Sequence, residues 1–237
     1  VIYKQSIIDI IEELIASLSF TVQVQASVNN LNGTQTIAVC DIFHAQPGFI
    51  ITIGPDIYTI TAINAQANTI TLSPAAPLIA APSTFSLYAP FFFHGTPPET
   101  NTELADERDA FAKTPMVYLL ETLTEEFNED QENTVERVSS LRLFFLTQAN
   151  FSKWLTADFY NNAIEPMRRL MENFYEAMRT SRRFYTKEQE FSITNHARFG
   201  IYISSRGVEK SLFVDNLSGV EMIIDLTILK DRACPPC

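Results

Sequence analysis

The hydrophobic period of this chain changes at Phe20, and no other feature constrains the fold as tightly. Before that point Ile7, Ile11, Leu14 and Leu18 recur at helical spacing, flanked by Ile8 and Ile15, with Lys4, Asp9, Glu12 and Glu13 on the opposite face. After it, Phe20, Val22, Val24, Ala26 and Val28 alternate with Thr21, Gln23, Gln25 and Ser27, the pattern of a half-buried strand. A helix this short is marginal alone and must dock on something. The strand pattern then repeats: "NNLNG" turns the chain and "TIAVC" returns it. Further strands are predicted over 49–53, 57–63 and 69–72, with turns at Gly54-Pro55-Asp56 and over 64–68. The expectation is a small all-β module of about five strands over 20–90, barrel or sandwich, closing in the Pro/Ala-rich "SPAAPLIAAPSTF".

Beyond residue 90 the pattern is mixed. A connector is predicted to hold a short helix over about 103–113, with Thr102 as its N-cap and Glu103, Asp106 and Glu107 near the positive end of its dipole. Strands are expected at 116–120 and 138–147, the second nearly continuous in apolar residues, as a central strand would be. The main helix carries Ile164, Met167, Leu170, Met171, Phe174 and Met178 on one face, and Pro166 must lie in or near its first turn. "EFSITNHARFGIYIS" reads as a strand or an irregular arm. In the last strand, 219–230, Met222, Ile224, Leu226 and Ile228 share a face, and Glu221 and Asp225 share the other, read as the solvent side. The fold class is therefore α+β: a β-β-α-β sheet-and-helix core plus the N-terminal helix, with an inserted small all-β module. The corresponding division is 1–19, 20–90 and 91–237.

No run approaches the roughly 18 to 20 apolar residues that span a bilayer, and the acids within "VIYKQSIIDIIEEL" are unlike a signal peptide, so no membrane association is expected. Three cysteines are too few for a disulfide scaffold, which points to a reducing compartment. Cys40 reads as a small buried hydrophobe, and Cys234 and Cys237 in "CPPC" as a frayed tail rather than a redox or zinc site.

Charge is segregated. The net charge is −11, and residues 99–137 carry twelve acids against three bases, whereas residues 153–210 carry ten bases against seven acids. That balance argues against a protein that binds nucleic acid by neutralising phosphates. Six carboxylates fall within "EEFNEDQENTVE": Glu125, Glu126, Glu129, Asp130, Glu132 and Glu136. An EF-hand would need Gly where Asn133 stands and Glu where Ser139 stands, so a solvated or partner-facing loop is the better reading. His44, His94 and His196 lack metal-ligand spacing, and no nucleophile elbow or phosphate-binding glycine loop occurs. Neither a catalytic residue nor a cofactor is expected. "RTSRRFYTKEQEF" offers a contact arm or a helix C-terminus favoured by the dipole, and Trp154 reads as core or interface packing. Opposite charges on one chain favour head-to-tail association, with the acidic stretch of one copy against Arg168, Arg169, Arg179, Arg182 or Arg183 of the next.

The order "TPMVYLLETL", an acidic gap, "LRLFFLTQANF", "FYNNAIEPMRRLMENFYEAM" and "NLSGVEMIIDLTILK", covering about 114–230, resembles the neck or tail-terminator-like proteins of tailed bacteriophages, particularly those of phages of Bacteroides-type hosts. The module at 20–90 departs from that pattern. The resemblance implies a non-enzymatic virion protein made in the host cytoplasm, forming a six- or twelve-fold homo-oligomeric ring at the head–tail junction or tail top. Other neck, portal and tail proteins would be its partners, and DNA only transiting cargo, with the acidic residues facing either the channel or a neighbour. The alternatives are a cellular binding module that recognises a peptide or glycan through its β unit, and a metal-assisted hydrolase using the histidines.

Overall fold

The computed structural model describes residues 6–30, 32–106, 113–120, 124–129, 135–181, 183–185 and 190–228. Helix α1 (Ile7–Ala16) starts with a capping box. The Asp9 amide donates to Ser6 Oγ at 3.0 Å and the Ser6 amide to Asp9 Oδ2 at 3.2 Å. Its apolar face, Ile7, Ile10, Ile11, Leu14 and Ile15, is buried against a sheet formed much later in the chain.

Between α1 and that sheet lies the β module. Its strands are β1 (Phe20–Asn29), β2 (Gln35–Val39), β3 (Ile50–Ile53), β4 (Asp56–Asn64), β5 (Thr69–Ser73) and β6 (Ser83–Leu87), six where periodicity predicts about five. They form an antiparallel sheet in the order β3-β4-β5-β2-β1-β6, and because its two ends come together the sheet curls into a nearly closed barrel. Alternation decides what faces inward: Val22, Val24, Ile37, Ile60, Ile70 and Leu72 are fully buried, while Thr21, Gln23, Gln25, Thr59 and Thr84 face out. The Pro/Ala-rich stretch is pinned by polar groups from inside the barrel. The buried Gln35 amide donates to the carbonyls of Pro74 and Pro77 and accepts from the Ile79 amide, and Tyr58 donates to the Pro77 carbonyl at 2.9 Å. Cys40, expected inside, is exposed just past the end of β2.

The remaining strands are β7 (Phe91–Gly95), β8 (Met116–Leu120), β9 (Thr124–Glu129), β10 (Val135–Gln148), β11 (Phe184–Tyr185), β12 (Phe191–Phe199), β13 (Ile201–Ile203), β14 (Glu209–Ser211) and β15 (Leu217–Ile228). A seven-stranded sheet runs β11-β15-β10-β8-β7, with β12 also on β15 and β9 also on β10. Only the β7–β8 pairing is parallel. The short helix α3 (Thr156–Phe159) and a single π-helical turn (Tyr160–Ile164) lead into α4 (Glu165–Thr180), whose first turn holds Pro166. Helices α1 and α4 cover one face of the sheet, burying Leu141, Leu143 and Phe145 of β10 and Met222, Ile224, Leu226 and Ile228 of β15. The other face carries a second cluster of Tyr118, Phe144, Leu146, Phe199, Phe213 and Leu217. Burial on both faces is why β10 ends as a continuous apolar run.

Two expectations are corrected. Helix α2 is described over Pro97–Asp106 and so starts before the expected 103, because Pro97 and Pro98 suit a first turn, where the missing N–H is no loss; residues 107–112 of the expected helix lie outside the described residues. Thr96 Oγ1 and its amide both donate to Glu99 at the start of α2, whereas Thr102 lies inside the helix and donates to the Pro98 carbonyl at 3.0 Å. The acidic stretch is also no plain loop: its ends are β9 and β10, paired from Val135↔Glu129 to Ser140↔Thr124. Among the described residues no helix is long and apolar enough to cross a membrane.

Two measurements test this packing. A Cβ at Gly219 would sit 1.9 Å from the Phe145 carbonyl oxygen, so Gly219→Ala must push β15 off β10. It is expected to destabilise by roughly 3 kcal/mol in denaturant melts, the range of severe core lesions. His44 is fully buried, with Nε2 2.8 Å from the Tyr88 carbonyl; burial pulls its pKa from 6.5 down to about 4, against a smaller raising effect from that hydrogen bond. The neutral imidazole therefore supports folding fully above pH 6.5, and this support fades as pH falls to 4. The loss is about 3 kcal/mol, which paired melts of wild type and His44→Gln at pH 7 and pH 4 should isolate.

Candidate functional site

Among the described residues the sequence-predicted charges separate into two regions with no contact shown between them. On the acidic side, β9 and β10 form a hairpin whose backbone includes Glu125, Glu126, Glu129 and Glu136. Glu125 is bonded to the buried Arg137, and Glu126 is exposed. Asp130 and Glu132 lie outside the described residues. On the basic side, Arg168 donates to Asn195 Oδ1 through two nitrogens, at 3.3 and 3.2 Å. Arg169 bridges to the β module, bonding Asp41 and the Ala65 carbonyl. Arg183 pairs with Glu13 of α1 at 2.5 Å. Among the described residues Arg179 meets Glu176, one turn away at 3.3 Å, and the nearby Tyr175 ring. Arg182 lies outside the described residues. Arg169 and Arg183 thus tie α4 to the module and to α1.

A charged group that sequence reasoning missed sits on the sheet face opposite α4. Glu221 lies on β15 directly across from Phe144, with Arg142 one diagonal away on β10 and His196 one diagonal away on β12. Although read as solvent-facing, Glu221 is only 3% exposed, because Phe144, Phe199 and the end of β12 close over it; Asp225, four residues on, is exposed. One carboxylate oxygen takes the Arg142 Nε–H, and the other is 2.6 Å from His196 Nε2. Desolvation works to raise the Glu221 pKa, but the hydrogen bonds and charges of Arg142 and His196 outweigh it and hold the carboxyl below its usual range. With both oxygens taken, the carboxylate clasps three strands together. An acid inside "VEMIIDLTI" was the available signal, but its partners are 79 and 25 residues away and only the strand pairing reveals them.

Next to this clasp the chain leaves the sheet. Among the described residues strands β13 and β14 pair only with each other, as a ribbon over 201–214. Phe213 anchors its base by stacking on Phe199 at 5.3 Å, and the Val214 amide donates to Asn101 Oδ1 at 2.8 Å. Gly200, at φ +74°, leaves room for that ring, since a Cβ there would stand 2.6 Å from it. Along the ribbon Tyr202, Ile203, Val208, Leu212 and Val214 are exposed, Ile203 at 75%.

Among the described residues no three His, Cys, Asp or Glu side chains gather as a metal site requires. His44 is sealed inside, His94 is exposed and His196 belongs to the clasp. The architecture is an α+β protein: a helix-backed mixed sheet carrying a nearly closed β module and a separate two-stranded ribbon. No family model matches the chain, and no match is found among curated proteins or among solved structures.

Replacing Glu221 by Gln keeps the shape and removes the charge that two partners share. A loss of roughly 1–3 kcal/mol is expected at neutral pH in denaturant melts. Because the Glu221 pKa is depressed, its contribution is present above the ordinary carboxylate range and lost as pH falls through the folded value. The difference between Glu221→Gln and wild type should therefore shrink on acidification.

Proposed function

We propose that this chain is a structural subunit of a closed homo-oligomeric ring, acting at the head–tail junction or tail top of a tailed phage, where it joins connector to tail and lets DNA pass. The observation that carries assembly is the 201–214 ribbon. Two strands alone are not stable in water, and this pair exposes five large apolar side chains instead of burying them. A second copy is the natural cover. Arg198, Arg206 and Lys210 on or beside the ribbon outnumber Glu209 and Asp215, while the β9–β10 hairpin is acidic and, among the described residues, β9 has one edge without a ladder. Ribbon against hairpin is a heterologous contact, and such contacts close into rings when the rotation permits.

The place in the virion rests on the resemblance of 114–230 to neck and tail-terminator-like proteins. Surface chemistry agrees with it. Acidic residues that remain free at a lumen would repel phosphates and let the duplex slide. The β module contains only two charged residues, Asp41 and Asp56, so its outer surface is a Thr-, Gln- and Ser-rich face suited to broad, unsteered contact with another ring or with the tail tube. Other neck, portal and tail proteins are the partners this reading requires, and it requires no cofactor or catalytic residue.

Native mass spectrometry and negative-stain images should show closed rings of six or twelve copies. Ile203→Asp with Val208→Asp should leave single chains that melt within a few degrees of wild type, because those side chains support nothing within the chain. A wild-type protein that stays monomeric at low salt and high concentration would sink the ring. Rings that are absent from purified virions would sink the phage role alone.

A further inference from the structure

We propose that Asn32 is a site of spontaneous deamidation, attacked at its side-chain carbonyl carbon by the backbone nitrogen of Gly33. Asparagine is a thermolabile residue, and exposed turn tips are where the chain tolerates change most readily. Of all the asparagines in the chain, Asn32 alone precedes a glycine. Every other one is followed by a residue whose side chain crowds the attacking nitrogen. The pair stands at the tip of the turn between β1 and β2, and both residues are exposed. A Cβ added at Gly33 would meet nothing within 4 Å, so that side of the turn is open. Its φ of +80° is one that glycine holds without strain. Among the described residues the Gly33 amide has no hydrogen-bond acceptor, so the nucleophile is not tied up.

The turn also prepares the carbon that is attacked. Below the tip it is closed by the Asn30 amide, which donates to the Thr34 carbonyl at 2.8 Å. Asn30 Nδ2 donates to Thr34 Oγ1 at 3.0 Å, and the Thr34 hydroxyl passes its own proton on to Asn32 Oδ1 at 2.7 Å. The Thr34 amide donates to the same oxygen at 3.3 Å. Such a relay polarises the side-chain carbonyl and makes Cγ more electrophilic. The Gly33 nitrogen gives its proton to a solvent base and bonds to Cγ, closing a succinimide ring. The Cγ–Nδ2 bond breaks, and Nδ2 takes a proton from water and leaves as ammonia. Water then opens the imide at either carbonyl. One opening leaves an aspartate; the other reroutes the main chain through Cγ as an isoaspartate. Either product puts a new carboxylate on a module whose only acids are Asp41 and Asp56, and the isoaspartate adds a main-chain methylene to the closed turn.

The intact protein is held at 37 °C and pH 8 for several weeks and sampled through that time. A more acidic species should accumulate on anion exchange, and the peptide that carries Asn32 should gain one mass unit. An isoaspartyl methyltransferase should label that same peptide. Gly33→Ala, which crowds the nitrogen, should slow the reaction by an order of magnitude or more. Alanine is strained at φ +80°, so Asn32→Gln is measured beside it. That variant keeps a side-chain amide and the glycine, but its longer side chain has to close a larger ring. It should melt within a few degrees of wild type and lose both the acidic species and the label. The proposal is overturned if no acidic species forms, if another asparagine changes first, or if either variant reacts as fast as wild type. The reaction needs one chain and no neighbour, so its failure and failure of ring formation are read separately.

Discussion

The antiparallel ladder from Arg137↔Ile228 to Gln148↔Leu217 joins β10 and β15 over nearly their whole lengths, and every other part of the core depends on it. It sets which residues face α1 and α4 and which face the aromatic cluster on the far side. It brings Gly219 against Phe145 so closely that only a hydrogen fits between the strands. It also places Arg142 and Glu221 on one diagonal, where a buried carboxylate becomes tolerable because two donors reach it. The clasp lies within this ladder, and the 201–214 ribbon branches off between β12 and the start of β15.

Much of that arrangement was legible in the sequence, and the reasons differ by element. The switch of period at Phe20 separates helix from barrel because inward and outward residues alternate along β1 and β4 as far as the register shifts at Val24/Ala26 and Ile60/Ala62. The helix α4 is legible from the spacing of its six apolar residues and from Pro166 at its start. The acidic hairpin was not. Its strand residues are dominated by glutamate, so hydrophobic period carries no signal, and the pairing is made by backbone and by Glu125 with Arg137. Helix α2 begins earlier than expected because two prolines were read as a connector rather than as a first turn. Glu221 was misplaced for a related reason. A strand's outer face is expected to be wet, yet here Phe144 and Phe199 from separate segments roof it over.

The arginines of α4 and of the segment just past its end show how composition and geometry divide the work. Read as a basic patch, they suggest one surface. In the fold each does something local: Arg168 steadies β12 through Asn195, Arg169 holds the module through Asp41, and Arg183 holds α1 through Glu13. Exposed ion pairs of this sort contribute little to stability individually. Together they join α1, the module and β12 to α4 and the segment just after it.

One pairing at the foot of the barrel has an evolutionary consequence. Phe20, where the module begins, is the ladder partner of Leu87, where it ends. Entry and exit therefore stand side by side, and a tight turn in place of 21–86 would still deliver the chain from α1 to β7. The barrel is in this respect a cassette, free to be lost, exchanged or diversified between lineages while the helix-backed sheet is inherited intact.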